Sequence, residues 1–184
     1  FYPSKVVQKV TGKPQEPLLS LMRGDSDLLA EIIEEAHQKG LKVLPWFEYG
    51  LIVPSNSNLA RRHPDWITQT RAGKQRLQQN QTDEEFKKSN SGKNSNIFLN
   101  WLENSHKKRV KQLVWLNPVH PEVKQFMKQL ILEVVTRYNV DGIQLDDHFG
   151  LPVELGYDPY TVKRYQQEHG GKKPPANPRD PEWM

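Results

Sequence analysis

Between Leu113 and Leu145 the chain passes from a short apolar run into a one-faced stripe and back into an apolar run, and few folds accept that order. Leu113-Val114-Trp115-Leu116 is strand-like. Pro121 suits the first position of a helix and Glu122 its first turn, where the helix dipole favours an acid. Val123, Phe126, Met127, Leu130, Ile131, Val134, Val135 and Tyr138 then recur at helical spacing, so one face of that helix is apolar. Val140-Asp141-Gly142-Ile143-Gln144-Leu145 reads as a second strand. Two strands joined by a helix through tight connections predict parallel pairing with a right-handed crossover.

Half of the same unit occurs earlier. Leu28, Leu29, Ile32, Ile33 and Ala36 trace a helix that Ser26 or Asp27 can cap and Gly40 can end. Leu41-Lys42-Val43-Leu44-Pro45-Trp46-Phe47 follows as a strand. The fold class is therefore α/β. A last helix is expected near 157–169, opened by Asp158-Pro159, with a proline-rich exit from Lys173 to Pro178.

Some sixty residues of different character separate the first strand from the second. Ile67 to Arg76 suggests a hairpin around Gly73, and Gln78 to Asn96 is a polar run too poor in apolar residues to offset its own ordering. Loops of this length are functional or disordered, and mobility is the expectation for 78–96. The chain's net charge of +4 is concentrated here: 61–111 holds twelve basic and five acidic residues. A solvated polar loop is the plain reading of that excess. Nucleic-acid binding is not expected, because no recognised motif accompanies Lys107-Lys108-Arg109-Val110-Lys111.

With 184 residues, 35% of them hydrophobic, the chain can bury one core of ordinary size, and no apolar stretch approaches the length of a membrane span. It has no cysteine, which removes thiol nucleophiles, disulfides and cysteine-ligated metal from consideration. It opens Phe1-Tyr2-Pro3 rather than on methionine, so a targeting segment cannot be judged from it.

The chemistry gathers at Asp141-Gly142-Ile143-Gln144-Leu145-Asp146-Asp147-His148. Side chains alternate along a strand, which puts Ile143 and Leu145 on one face and Gln144 and Asp146 on the other. In a parallel α/β barrel the polar face points inward, and Asp146 falls at the carboxyl end where such folds carry their sites. Glu48 shares parity with Leu44 and Trp46 and falls at the end of the earlier strand, a second carboxylate on the same rim. Glycoside hydrolysis asks for such a pair, one group ionised and one protonated. The two aspartates also read as turn caps, and Glu48 also as a solvated loop residue. Trp46, Tyr49, Trp66, Trp101 and Trp115 sit at strand ends or in the long loop, where aromatic rings can pack on sugar faces or simply join the core.

The runs Ala36 to Val43, Trp46-Phe47, His63-Pro64-Asp65-Trp66, Trp115-Leu116-Asn117-Pro118, His120-Pro121-Glu122-Val123 and Asp141 to Asp147 together resemble the bacterial glycosyl-hydrolase-like family ten, a relative of the amylase-type barrels. The resemblance spans nearly the whole chain. It implies a partial (β/α)8 TIM barrel, the middle portion of one domain covering 1–184, with a long βα-loop insertion at about 49–111 and the remainder of the barrel outside this segment. It also implies an exported protein acting on an oligosaccharide or polysaccharide of the bacterial envelope, without cofactor or metal. By that likeness Asp146 stands at the nucleophile of the amylase strand, and Gln144 stands where those enzymes carry arginine; a neutral amide donates a hydrogen bond but brings no charge. The proton donor of such enzymes comes from the following strand, which would lie beyond Met184.

The site expected on these grounds has Asp146, Asp147 and Glu48 as catalytic groups. Trp46, Tyr49, Trp66, Trp115, Asn117, Gln144 and His148 are its substrate-binding neighbours. Two alternatives stand beside it: a metal-dependent hydrolase using Asp146, Asp147 and His148, and a glycan-binding barrel without activity.

Overall fold

The computed structural model describes residues 2–15, 17–24, 26–48, 50–75 and 113–183. Tyr49, Trp101, the polar run 78–96 and most of the basic segment lie outside the described residues.

Helices α1 (Lys5–Thr11), α2 (Pro17–Arg23) and α3 (Leu28–Gln38) come first, then strands β1 (Trp46–Phe47) and β2 (Ile52–Pro54) and helix α4 (Asn58–Arg62). β3 (Leu113–Trp115), α5 (Pro121–Arg137), β4 (Gln144–Leu145) and α6 (Pro159–Glu168) complete the order. The capping reading holds for the helices foreseen. Asp27 accepts from Ala30 N at the start of α3, Pro121 opens α5, and Asp158 accepts from Thr161 N ahead of Pro159. Gly40, at φ +71°, stands just past α3 in the left-handed conformation that closes helices.

The chain is mixed α/β, but its strand pairing differs from the one the periodicity implies. β3 does not pair with β4. It runs antiparallel to β2, with Ile52 opposite Trp115 and Pro54 opposite Leu113, and an Ile67–Leu116 bridge adds to that ribbon. β4 runs parallel to β1, with Trp46 opposite Gln144 and Phe47 opposite Leu145. Periodicity identifies a strand but carries no address for its partner. Here the segment directly after β1 folds back and captures Leu113–Trp115 before α5 begins. The described strands form two two-stranded sheets, and the Gly73 segment forms a tight turn, Gly73 N donating to Thr70 O at 2.9 Å.

The two sheets carry two cores. One gathers Leu51, Leu59, Trp66, Ile67, Val114 and Leu116 against Val123, Phe126 and Met127 of α5. The other joins Ile33 of α3 to Val134 and Tyr138, with Leu29, Val43, Phe47 and Val140 around them. α5 therefore serves both, which explains a stripe longer than one contact requires. Burying one such side chain fully stabilises by about 1.5–3 kcal/mol, so these clusters hold most of the structure's stability. Glu133 on α5 also accepts from Lys5 N at 2.7 Å, Val6 N at 3.3 Å and the hydroxyls of Tyr2 and Ser4, fixing the start of α1. Both faces of the β1–β4 pair leave apolar side chains exposed, Leu44 and Trp46 on one and Leu145 on the other, so Leu145 is not covered by a helix as its parity would have it. No helix among the described residues is long and apolar enough to cross a membrane.

A candidate active site where β1 and β4 end

β1 and β4 run in the same direction with a constant register, so the residues just past their ends are neighbours. Continuing that register by one step sets Glu48 beside Asp146. Adjacent strands lie about 4.8 Å apart, which brings the two carboxylate-bearing residues to one edge. Glu48 is exposed, and the Asp146 side chain retains 13% of its accessibility.

Further hydrogen bonds hold this strand pair at both ends. His148 donates from Nδ1 to the carbonyl oxygen of Glu48 at 2.9 Å, and Leu51 N donates to His148 O at 2.9 Å. Gly50 makes that approach possible. Its φ is +46°, and a Cβ there would sit 2.7 Å from the carbonyl carbon and oxygen of His148. Only a residue without a side chain lets the two loops touch. Upstream, Asp141 anchors the entry to β4: its carboxylate accepts from Val43 N at 2.8 Å and pairs with His37 Nε2 at 2.9 Å. These bonds hold the Asp141 carboxyl below the usual carboxylate range, the Val43 amide contributing most.

After β4 the chain turns through a 3-10 turn, Asp147–Phe149, for which Asp146 is the cap and accepts from Asp147 N. Oxygens of Asp146 and Asp147 and a ring nitrogen of His148 all lie within 4.8 Å of one another. His148 Nδ1 is 3.6 Å from Asp146 Oδ2 and 3.7 Å from Asp147 Oδ1. The shared hydrogen bond between the two aspartates drives their titrations apart. Asp146 is lowered, chiefly by accepting from Asp147, and Asp147 is raised for the same reason. The imidazole of His148 is raised, first by the Glu48 carbonyl and then by Asp146 and Asp147. The two neighbouring carboxyls are thus pushed in opposite directions, the kind of divergence that acid–base chemistry uses. The same three groups have the donor types and closeness to hold a divalent ion.

Of the neighbours expected at this site, Gln144 is opposite Trp46 and both are exposed on the pair. His148 is within the cluster, Tyr49 lies outside the described residues, and Asn117, Trp66 and Trp115 pack toward the interior. Asn117 is wholly buried, its Nδ2 donating to Asp158 Oδ1 at 3.0 Å and to Thr161 Oγ1 at 2.8 Å. Trp66 is buried, stacked on His63 with ring centroids 4.0 Å apart and donating from Nε1 to Glu122 Oε2 at 2.8 Å. The His63-Pro64-Asp65-Trp66 and His120-Pro121-Glu122 runs thus lock to each other. Trp115 is half-buried against the same core. Sequence reasoning overlooked Gly50, and it placed Asp141 in the chemically loaded run without giving it a role. A glycine two residues past a strand-end glutamate was the available signal for the first.

Parallel α/β barrels carry their sites at the carboxyl ends of their strands, the position that Glu48 and Asp146 occupy on this pair. The chain belongs to the glycosyl hydrolase-like 10 family, whose model matches residues 1–87 and 99–184. It is 28% identical over 156 residues to "Glycosyl hydrolase DigH" of Escherichia coli (strain K12), a match covering 81% of this chain and 28% of that protein. It is 24% identical over 180 residues to "Glycosyl hydrolase YngK" of Bacillus subtilis (strain 168), covering 92% of this chain and 26% of that protein. The chain thus spans little more than a quarter of the length of the curated relatives it matches. No solved structure matches it significantly.

Proposed function

We propose that this chain contributes the catalytic edge of a glycoside hydrolase that cleaves a bacterial envelope glycan or a related polysaccharide, outside the cytoplasm. The chain is read as part of one (β/α)8 barrel, with β1 and β4 as consecutive barrel strands and about 49–111 inserted between them. The observation that carries the reading is the register that sets Glu48 beside Asp146 at the carboxyl ends of two parallel strands, tied by His148.

In this reading Asp146, ionised, attacks the anomeric carbon or stabilises its developing positive charge. Asp147, which keeps its proton to higher pH, protonates the leaving oxygen as the glycosidic bond breaks; water then adds its hydroxyl to the anomeric carbon and returns its proton to Asp147. Glu48, Trp46, Gln144 and His148 position the sugar. Family membership supports the reaction class, and the divergent titration of the two aspartates supports their separate roles. The test is turnover of bacterial glycan strands by the full-length protein and its Asp146→Asn variant. A loss of at least about 100-fold is expected. Equal turnover by both removes Asp146 from catalysis, and retained oligosaccharide affinity without any turnover identifies a binding barrel.

A second reading draws on the closeness of Asp146, Asp147 and His148, which would suit a metal-dependent hydrolase. Turnover unchanged by a chelator is the expected outcome. Activity lost on chelation and restored by one divalent ion would establish the metal reading instead.

A further inference from the structure

The loop that leaves the acid cluster does not simply return to a helix. From Leu151 to Gly156 it forms one wall of a second pocket of about 610 Å³, closed on the other side by α6 and by Trp183. Leu151 is three residues beyond His148, so along the chain the pocket's rim lies within about 11 Å of the cluster.

The pocket is preformed. Trp183 stacks on Tyr157 with centroids 4.7 Å apart, and meets Tyr165 edge-on at 5.3 Å. Tyr165 is in turn stacked on His169 at 3.9 Å. Gly156, at φ +102°, lies flush against the indole, a Cβ there falling 3.5 Å from it. Charged groups join the apolar wall: Arg164 bonds Glu168 at 2.9 Å, and Lys124 of α5 reaches the same space. Aromatic edges, a guanidinium and carboxylates around a partly apolar hollow are the groups that hold a sugar ring, since its C–H faces are apolar and its rim of hydroxyls both donates and accepts. Nothing in the proposed chemistry at Asp146 uses them.

We propose that this pocket is a sugar-binding subsite that grips the glycan chain beside the bond being cleaved. The proposal rests on the glycoside-hydrolase reading for the identity of its ligand, but binding can be tested without turnover. The probes are tetrasaccharides of β-1,4-linked N-acetylglucosamine and of β-1,4-linked glucose, with the matching disaccharides, titrated calorimetrically into the full-length protein. The variants are Arg164→Ala, whose side chain is substantially exposed, and Trp183→Phe, which keeps an aromatic ring on Tyr157. Both are expected to weaken the better-bound tetrasaccharide about tenfold, to leave the disaccharide unchanged, and to leave the unfolding midpoint within error of the parent. Asp146→Asn is expected to bind as the parent does. Tetrasaccharide affinity unchanged in both variants, or absence of any oligosaccharide binding, overturns the subsite. If binding responds as expected while Asp146→Asn turns over normally, the subsite stands and the catalytic assignment fails.

Discussion

Replacing Gly50 by alanine tests the geometry on which the candidate site depends. The new Cβ would fall 2.7 Å from the backbone of His148 and 2.8 Å from the ring of Phe149, closer than such atoms approach. Because the carbonyl is backbone, the clash cannot be relieved by turning a side chain. An alanine at positive φ costs about 1–2 kcal/mol, and forcing extra volume into a filled site adds about 1–3 kcal/mol, for a total of about 2–5 kcal/mol. Against a whole-domain stability of about 5–15 kcal/mol, that is a large fraction. Gly40→Ala supplies the control. Gly40 also has positive φ, at +71°, but nothing lies within 4 Å of its would-be Cβ, so it carries only the backbone cost. Urea unfolding followed by circular dichroism separates the two as a difference in midpoint at constant slope. Gly50→Ala is expected to lose about 1–3 kcal/mol more than Gly40→Ala. It should also impair glycan turnover, because relief of the clash must move His148 away from Leu51 N and the Glu48 carbonyl. Equal costs for the two variants would refute the claim that β1 and β4 are held by this approach.

The raised imidazole and the lowered carboxylate have opposite consequences for pH. Stability from Asp146 is present above its unfolded value of about 3.9 and lost as pH falls through its lowered folded value; that from His148 is full below about 6.5 and lost as pH rises through its raised folded value. His148 is therefore expected to titrate above about 6.5 by NMR, and to move toward that value in Asp146→Asn while staying above it, since the Glu48 carbonyl remains; a parent value at or below it contradicts the arrangement. At the buried cap of α6, Asp158→Ala removes the acceptor of Thr68, Asn117 and Thr161. Losing the cap costs about 1 kcal/mol and stranding the buried donors about 1–3 kcal/mol more, so a drop of about 2–4 kcal/mol in unfolding free energy is expected, partly recovered by Asp158→Ser; a loss under about 1 kcal/mol would show that the donors find other partners.

What the sequence made legible follows from which interactions are local. α3, α5 and α6 could be read because caps, prolines and the apolar stripe lie within each segment. The shared parity of Glu48 and Asp146 could be read because alternation is a property of each strand. Partner choice could not, since β3 looks the same whether it joins β2 or β4, and the short α4 has too few turns to show a period. Asn117 and Trp66 misled for a related reason. Polar and aromatic residues near a strand end suit a binding cleft or a satisfied interior equally well, and only the positions of Asp158 and Glu122 decide.

The β1–β4 pair joins residues 98 positions apart, and that separation has a consequence for how the family can vary. Closing so large a loop is slow, because its entropy is spent before any contact rewards it, so the acid-bearing edge is expected to assemble late in folding. Once closed, it is nearly indifferent to how much chain lies between: doubling the loop costs only about 0.6 kcal/mol. The family match breaks off over 88–98, inside that very span. The excursion can therefore be lengthened or rewritten while the pairing of Trp46 and Phe47 with Gln144 and Leu145 is left in place.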